Sequence, residues 1–222
     1  MANLNFRSAI SAKEAVHAIS DGATIMVGGF MGVGSPKRLI EQLVEQNVKG
    51  LTLICNDTAW PGRGVGHLIS AGAVSRLITT HIGLNPETQD MMNTGEINVE
   101  LVPQGTLAER IRAGGVGLGG VLTPTGVGTE VQNDKQIINL QGRDYLLEEP
   151  LRAEFALIAA RRSDYVGNLE YALTAQNFNP IMAMAADTVI AEPESIVPVG
   201  VIPPDAVRTP GILVDKLVGR VQ

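Results

Sequence analysis

The stretch from Asp21 to Pro36, DGATIMVGGFMGVGSP, constrains the fold of this chain more than any other. Ala23 to Val27 is a short apolar run of the kind that forms a strand buried on both faces. Glycine then fills four of the seven positions in GGFMGVG, namely Gly28, Gly29, Gly32 and Gly34. Such a segment turns easily and lets other groups approach the backbone. Ser35 reads as an N-cap and Pro36 as the first helical residue. Beyond them Leu39, Ile40, Leu43, Val44 and Val48 recur at helical spacing. A loop joining a strand's C-terminal end to a helix N-terminus is where open parallel sheets bind ligands, and the helix end favours an anion. The spacing G-x-x-G-x-G is not the dinucleotide fingerprint G-x-G-x-x-G, and the Gly-Lys-Ser/Thr ending of a P-loop is missing. On pattern alone, a ligand loop and a purely structural tight turn stay equally open.

The strand–loop–helix theme recurs along the chain. Ser11 and Glu14 form a candidate capping box for a helix to about Ile19. Strands are expected at 23–27, 51–55, 75–80, 98–102, 154–160 and 187–191. Helices are expected at 36–48, 66–71, 86–92, 104–113 and 180–186. The run from Gly114 to Gly120 is expected to be irregular, because glycine makes regular structure costly. Residues 136–147 alternate around Gly142 like a hairpin. Asp164 to Asn168 reads as a polar turn, and Pro193, Pro198, Pro203 and Pro204 punctuate an extended tail. The pattern predicts an α/β fold, an open, mostly parallel sheet flanked by helices. One domain over 1–222, with a small β-hairpin insertion, accommodates all of it.

Charge and composition exclude several functions. The chain carries 17 basic and 23 acidic residues, and no Lys/Arg cluster is longer than Arg161-Arg162. Nucleic-acid binding needs a basic face, so none is expected. No apolar stretch approaches about 18 residues, so no membrane span is expected, and MANLNFRSAI lacks the apolar core of a signal peptide. The lone Cys55 lies in the apolar run 51–55 and reads as a buried hydrophobe; a single thiol fits a reducing cytoplasm. His17, His67 and His81 are scattered, so no metal site is expected. No G-x-S-x-G elbow occurs, which disfavours a serine hydrolase.

Several ordered motifs carry a resemblance. Asp21-Gly22, Gly28-Gly29-Phe30 and Gly34-x-Pro36 are followed by Asn56-Asp57-Thr58, Val102-Pro103-Gln104-Gly105-Thr106-Leu107 and Arg110-Ile111-Arg112-Ala113-Gly114-Gly115. Thr123 to Thr129 and Asn177-Phe178-Asn179-Pro180 continue the series. Together they resemble the alpha (A) subunits of family I coenzyme A-transferases of the acetate/acetoacetate and 3-oxoacid types, over nearly the whole chain. The resemblance implies transfer of CoA between short carboxylic acids such as acetate, butyrate and acetoacetate. CoA and acyl-CoA would then be substrates, with no tightly bound cofactor. It further implies a glutamyl-CoA thioester whose glutamate lies in a beta subunit, within a Ser-Glu-Asn-Gly-type motif that is absent from this sequence. The partner would be that beta subunit, in an α2β2 heterotetramer. Glu148, Glu149 and Glu192 lack that context and read as surface carboxylates.

Gln104 follows Pro103 at the end of a predicted strand, where a neutral amide N–H can donate to a developing oxyanion. The resemblance implies that it stabilises the thioester carbonyl oxygen. Gly28, Gly29, Phe30, Met31, Gly32, Val33 and Gly34 would shape a wall of the CoA site or of the subunit interface. Asn56 would join the ligand contacts. For Asn56 and Asp57, Asx-turn formation competes with ligand positioning; Asn168 and Asn179 also fall in family-like motifs. Two other readings stay open: a sugar-phosphate isomerase-like enzyme of similar fold, and a non-catalytic CoA- or effector-binding regulator.

Overall fold

The computed structural model describes residues 6–219; MANLN, on which the reading of a missing signal peptide partly rests, lies outside them. Helix α1 (Ala12–Val16) opens at Ser11, whose Oγ accepts from the Glu14 N–H at 3.1 Å. Strand β1 (Thr24–Val27), helix α2 (Lys37–Gln46), β2 (Leu51–Ile54), α3 (Gly66–Ser70), β3 (Val74–Thr79), α4 (Pro86–Thr94) and β4 (Asn98–Leu101) follow in strict alternation. Helix α5 (Gln104–Val116) leads to β5 (Val121–Thr123), β6 (Ile137–Leu140) and β7 (Arg143–Glu148). The chain returns through β8 (Ala153–Asp164), β9 (Leu169–Glu170), α6 (Asn179–Met182), β10 (Ala186–Val197) and β11 (Lys216–Leu217).

The main sheet has the order β11-β10-β8-β1-β2-β3-β4, parallel throughout, with β9 antiparallel to β8. Strand order therefore reverses beside β1. The chain runs outward from β1 to β4 and later returns to β1's other edge. Both faces of β1 are buried as its apolar run predicted. Ile25 and Val27 pack with α1, α2 and α3, and Met26 packs with α5 and α6 on the opposite face. The insertion is a three-stranded antiparallel sheet, β5-β7-β6, larger than the expected hairpin. An ion network joins it to the main sheet: Lys135 and Arg110 reach the buried Glu148, and Arg110 also pairs with Glu100 at 2.8 Å. Glu148 is thus no surface carboxylate.

Four local expectations are corrected. Helix α5 continues through Gly114 and Gly115, because these glycines serve packing; a Cβ on Gly114 would sit 2.0 Å from the Leu151 carbonyl oxygen. Strand β8 runs to Asp164 and β10 to Val197, each seven or more ladder pairs long, so Pro193 lies within β10 and not in a tail. Its missing N–H costs nothing in the ladder. The Val189 and Ala191 carbonyls accept from Asp215 and Val218 on the β11 side, so Pro193 faces that way, past the end of β11. Helix α6 closes at Met182 instead of 186, because β10 already starts at Ala186. The fourth concerns α2: Ser35 makes no cap bond, and the helix begins at Lys37.

Candidate functional site

What replaces the Ser35 cap is a carboxylate from across the sheet. Glu192 on β10 accepts from the Arg38 N–H at 3.1 Å and the Leu39 N–H at 2.8 Å, and its partner Arg38 Nε lies 3.3 Å away. The anion that the N-terminus of α2 favours is therefore supplied by the chain itself. Glu192, expected at the surface, is close to buried.

The glycine loop leaves β1 at the reversal of strand order, where the crevice of a doubly wound sheet lies. It folds into a minute hairpin. Phe30 and Val33 exchange both backbone hydrogen bonds, at 3.0 and 2.9 Å, around Met31 (φ +49°) and Gly32 (φ +82°). Two successive positive φ angles are the signature of a type I′ turn. A methionine in that conformation costs about 1–2 kcal/mol, and a specific contact holds it there. The Met31 N–H donates to the Asp57 carboxylate, 2.9 Å from Oδ2 and 3.1 Å from Oδ1.

The base of the hairpin is stapled by Asn177 and Asn179. Asn177 Oδ1 accepts from the Gly29 N–H at 3.1 Å, and its Nδ2 donates to the Val33 carbonyl at 3.0 Å. Asn179 Nδ2 donates to the Gly34 carbonyl at 3.0 Å, and its Oδ1 accepts from Ala159 N–H. A Cβ on Gly28 would collide with Asn179 Oδ1, so Gly28 and Gly34 admit this chain's own groups. The hairpin tip remains open: Phe30 and Val33 are 42% and 49% exposed. It borders a groove of about 920 Å³ lined by Phe30, Met31, Val33, Trp60, Arg63 and His67. The Arg63 guanidinium stacks over Trp60, 5.8 Å from the ring centre.

Asn56, Asp57 and Gln104 converge on the same rim, at the ends of β2 and β4. Gln104 Nε2 donates to Asn56 Oδ1 at 2.7 Å, and Asn56 Nδ2 donates to Asp57 Oδ2 at 2.7 Å. Asp57 Oδ1 accepts from the Ala59 N–H at 2.8 Å, the expected Asx turn. Thr80 Oγ1 donates to the Asn56 carbonyl at 2.7 Å. Asn56 and Asp57 are buried, whereas Gln104 is exposed. Gln104 has a second amide N–H beyond the one given to Asn56, carried on an exposed side chain.

Other candidates lie elsewhere. Asn168 bonds Asp164 and the Gly211 N–H in a turn. Cys55 is buried beside Thr79, and burial pushes its thiol far above the usual range, which leaves it inert. Among the described residues no group of three His, Cys, Asp or Glu side chains is placed to hold a metal ion. Among the described residues no helix is long and apolar enough to cross a membrane. Sequence reasoning missed the roles of Asn177 and Glu192 and the clamp of Asp57 on Met31. The adjacency of β1 and β2, whose following loops must then touch, was the available signal for the last.

Comparisons with known proteins complete the description. The family model described as Coenzyme A transferase matches residues 9–220. The chain is 54% identical over 206 residues to the acetate CoA-transferase subunit alpha of Escherichia coli, covering 93% of this chain and 94% of that protein. It is 51% identical over 198 residues to the acetoacetyl-CoA:acetate/butyrate CoA transferase alpha subunit of Clostridium acetobutylicum, covering 89% and 91%. Among solved structures, the acyl-CoA transferase YdiF of Escherichia coli, in a thioester complex with CoA, superposes with a TM-score of 0.84 at 24% identity. That match covers 96% of this chain and 47% of YdiF, so the chain spans about half of YdiF's length. A variant of the decarboxylase AibA/AibB superposes with a TM-score of 0.80 at 26% identity, covering 96% of this chain and 82% of that one. The fold thus hosts more than one reaction.

Proposed function

This chain belongs to the coenzyme A transferase family, and from that premise we propose that it is the alpha subunit of a short-chain acyl-CoA:carboxylate CoA-transferase of the acetate, acetoacetate and butyrate class. The named relatives favour this over the isomerase and regulator readings. The observation that carries it is the state of the polar groups on the rim. The carboxylates of Asp57 and Glu192 are both occupied by backbone N–H groups, while Gln104 keeps a free amide donor. Among the described residues this rim offers an oxyanion donor, and both of these carboxylates are engaged as acceptors.

The nucleophile is a glutamate on a beta subunit. Its carboxylate attacks the acyl-CoA carbonyl and expels the CoA thiolate, giving an acyl-glutamyl anhydride. The thiolate then attacks the glutamyl carbonyl and releases the carboxylate, leaving a glutamyl-CoA thioester. A second carboxylic acid reverses the sequence, so the kinetics are ping-pong. Gln104 donates its free N–H to the carbonyl oxygen as negative charge develops there, and Asn56 holds the amide in place. The tip Phe30–Val33, with Gly28, Gly29 and Gly34 at its base, forms the wall against which acyl-CoA and the beta subunit close. The assembly is an α2β2 heterotetramer, with residues 1–222 of each alpha chain forming one unit.

Co-expression with the beta subunit tests the reading. Transferase activity should appear only in the complex, and borohydride should inactivate it by reducing a glutamyl thioester on the beta chain. Transferase activity of the alpha chain alone, or a borohydride-sensitive site on it, would overturn the assignment.

A further inference from the structure

We propose that Asp57 is a positioning residue that sets which way the Gln104 amide faces, acting through Asn56; this rests on the CoA-transferase reading above. The relay follows from which groups donate and which accept. A carboxylate accepts and does not donate, so the Asn56 side chain must offer its NH2 group to Asp57 Oδ2, as it does at 2.7 Å. That leaves the Asn56 oxygen facing the other way. Gln104 must answer it with its own NH2 group, at 2.7 Å. One of the two Gln104 N–H bonds is thereby used, and the other is fixed on the exposed side of the residue. An amide free to turn over would also present its oxygen there, and an oxygen repels a developing oxyanion.

The order of the relay is built from its buried end. Asp57 and Asn56 are 6% and 2% exposed, and Asp57 is itself immobilised by the Met31 and Ala59 N–H groups. The hydrogen-bond donors to Asp57 among the described residues are all neutral. The same carboxylate therefore holds the Met31 turn and orients Gln104, tying the loop after β1 to the amide at the start of α5.

Replacing Asp57 by Asn inverts this logic. Its oxygen is needed by the Ala59 and Met31 N–H groups, so its NH2 faces the Asn56 NH2. Two donors meet, the Asn56 amide turns over, and Gln104 turns with it. In the assembled enzyme, Asp57→Asn should lower kcat at least about tenfold with the carboxylate KM little changed. In a Gln104→Ala background the same substitution should cost nothing further, because its target is gone. An equal loss in both backgrounds would mark Asp57 as merely structural and overturn the proposal, as would an unchanged kcat. Should Asp57→Asn fail to assemble, Asn56→Ala cuts the relay while leaving the Asp57 bonds to Met31 and Ala59 intact, and the same cancellation is expected. A readout independent of activity is the side-chain amide resonance of Gln104 in the 15N-labelled alpha chain, identified by its loss in Gln104→Ala. It should shift in Asp57→Asn. A wild-type complex without transferase activity would sink the functional reading, whereas an unmoved Gln104 resonance would sink the relay.

Discussion

Two carboxylates sit on the C-terminal rim of the sheet, and each accepts two backbone N–H groups. Glu192 also takes the Arg38 guanidinium and closes the first turn of α2. Its charge is answered by a cation and a helix dipole, so it serves the scaffold. Among the described residues Asp57 is held by neutral donors alone, and it passes its orientation to an exposed amide. The difference lies in what completes the coordination. Here the carboxylate paired with a cation closes a helix, and the one paired with an amide passes its orientation on.

The sharpest break in that comparison is the end of the Asp57 chain. Gln104→Ala should lower kcat in the assembled enzyme about 10²–10³-fold, near 3 kcal/mol of transition-state stabilisation, without changing the melting temperature of the alpha chain. An undiminished kcat would remove Gln104 from the mechanism. Glu192→Ala should do the reverse. It strips α2 of its cap and Arg38 of its partner, costing about 2–3 kcal/mol in denaturant unfolding, while activity of the folded complex persists. Gly32→Val tests the clamp from the loop side. A β-branched residue at φ +82° strains the Met31 turn by about 1–2 kcal/mol, so KM for acyl-CoA should rise or the complex should weaken. Wild-type kinetics with an intact complex would dissociate the tip from binding.

The smallest expected effect concerns Glu100, away from the rim. Burial alone would raise its carboxyl, but Arg110 and Arg76 prevail and hold it below the ordinary value. A depressed carboxylate contributes stability above its unfolded pKa and loses it as pH falls through the folded one. Between about pH 5 and pH 3, wild type should lose up to about 1 kcal/mol more than Glu100→Gln; parallel denaturation curves at both pH values would refute this.

Much of this was legible in the sequence because it rests on local chemistry. The apolar run 23–27, the alternation of elements and the polar residues after β2 and β4 all report on short stretches, and the strand-end placement of Asn56 and Gln104 follows from them. What stayed hidden depends on distant pairing. Ser35 looks like a cap in every local respect, and only the neighbourhood of β10 brings Glu192 to α2. Gly114 and Gly115 look like helix breakers until Leu151 and Met184 are packed against them. Pro193 looks like the end of a strand unless β11 is known to stop two residues earlier.

The central position of β1 has a consequence for biosynthesis. One edge of β1 is satisfied by β2, a short distance along the chain, while the other waits for β8; the Thr24 N–H finds the Glu154 carboxylate across 130 residues. At ribosomal speeds of about 5–20 residues per second, that edge stands open for on the order of ten seconds during synthesis. A nascent chain released after β4 would carry an apolar, half-paired strand in the middle of what should become its sheet. Such truncated chains should be captured by chaperones or aggregate, and the pace of translation through β8 becomes part of how this subunit reaches its native sheet.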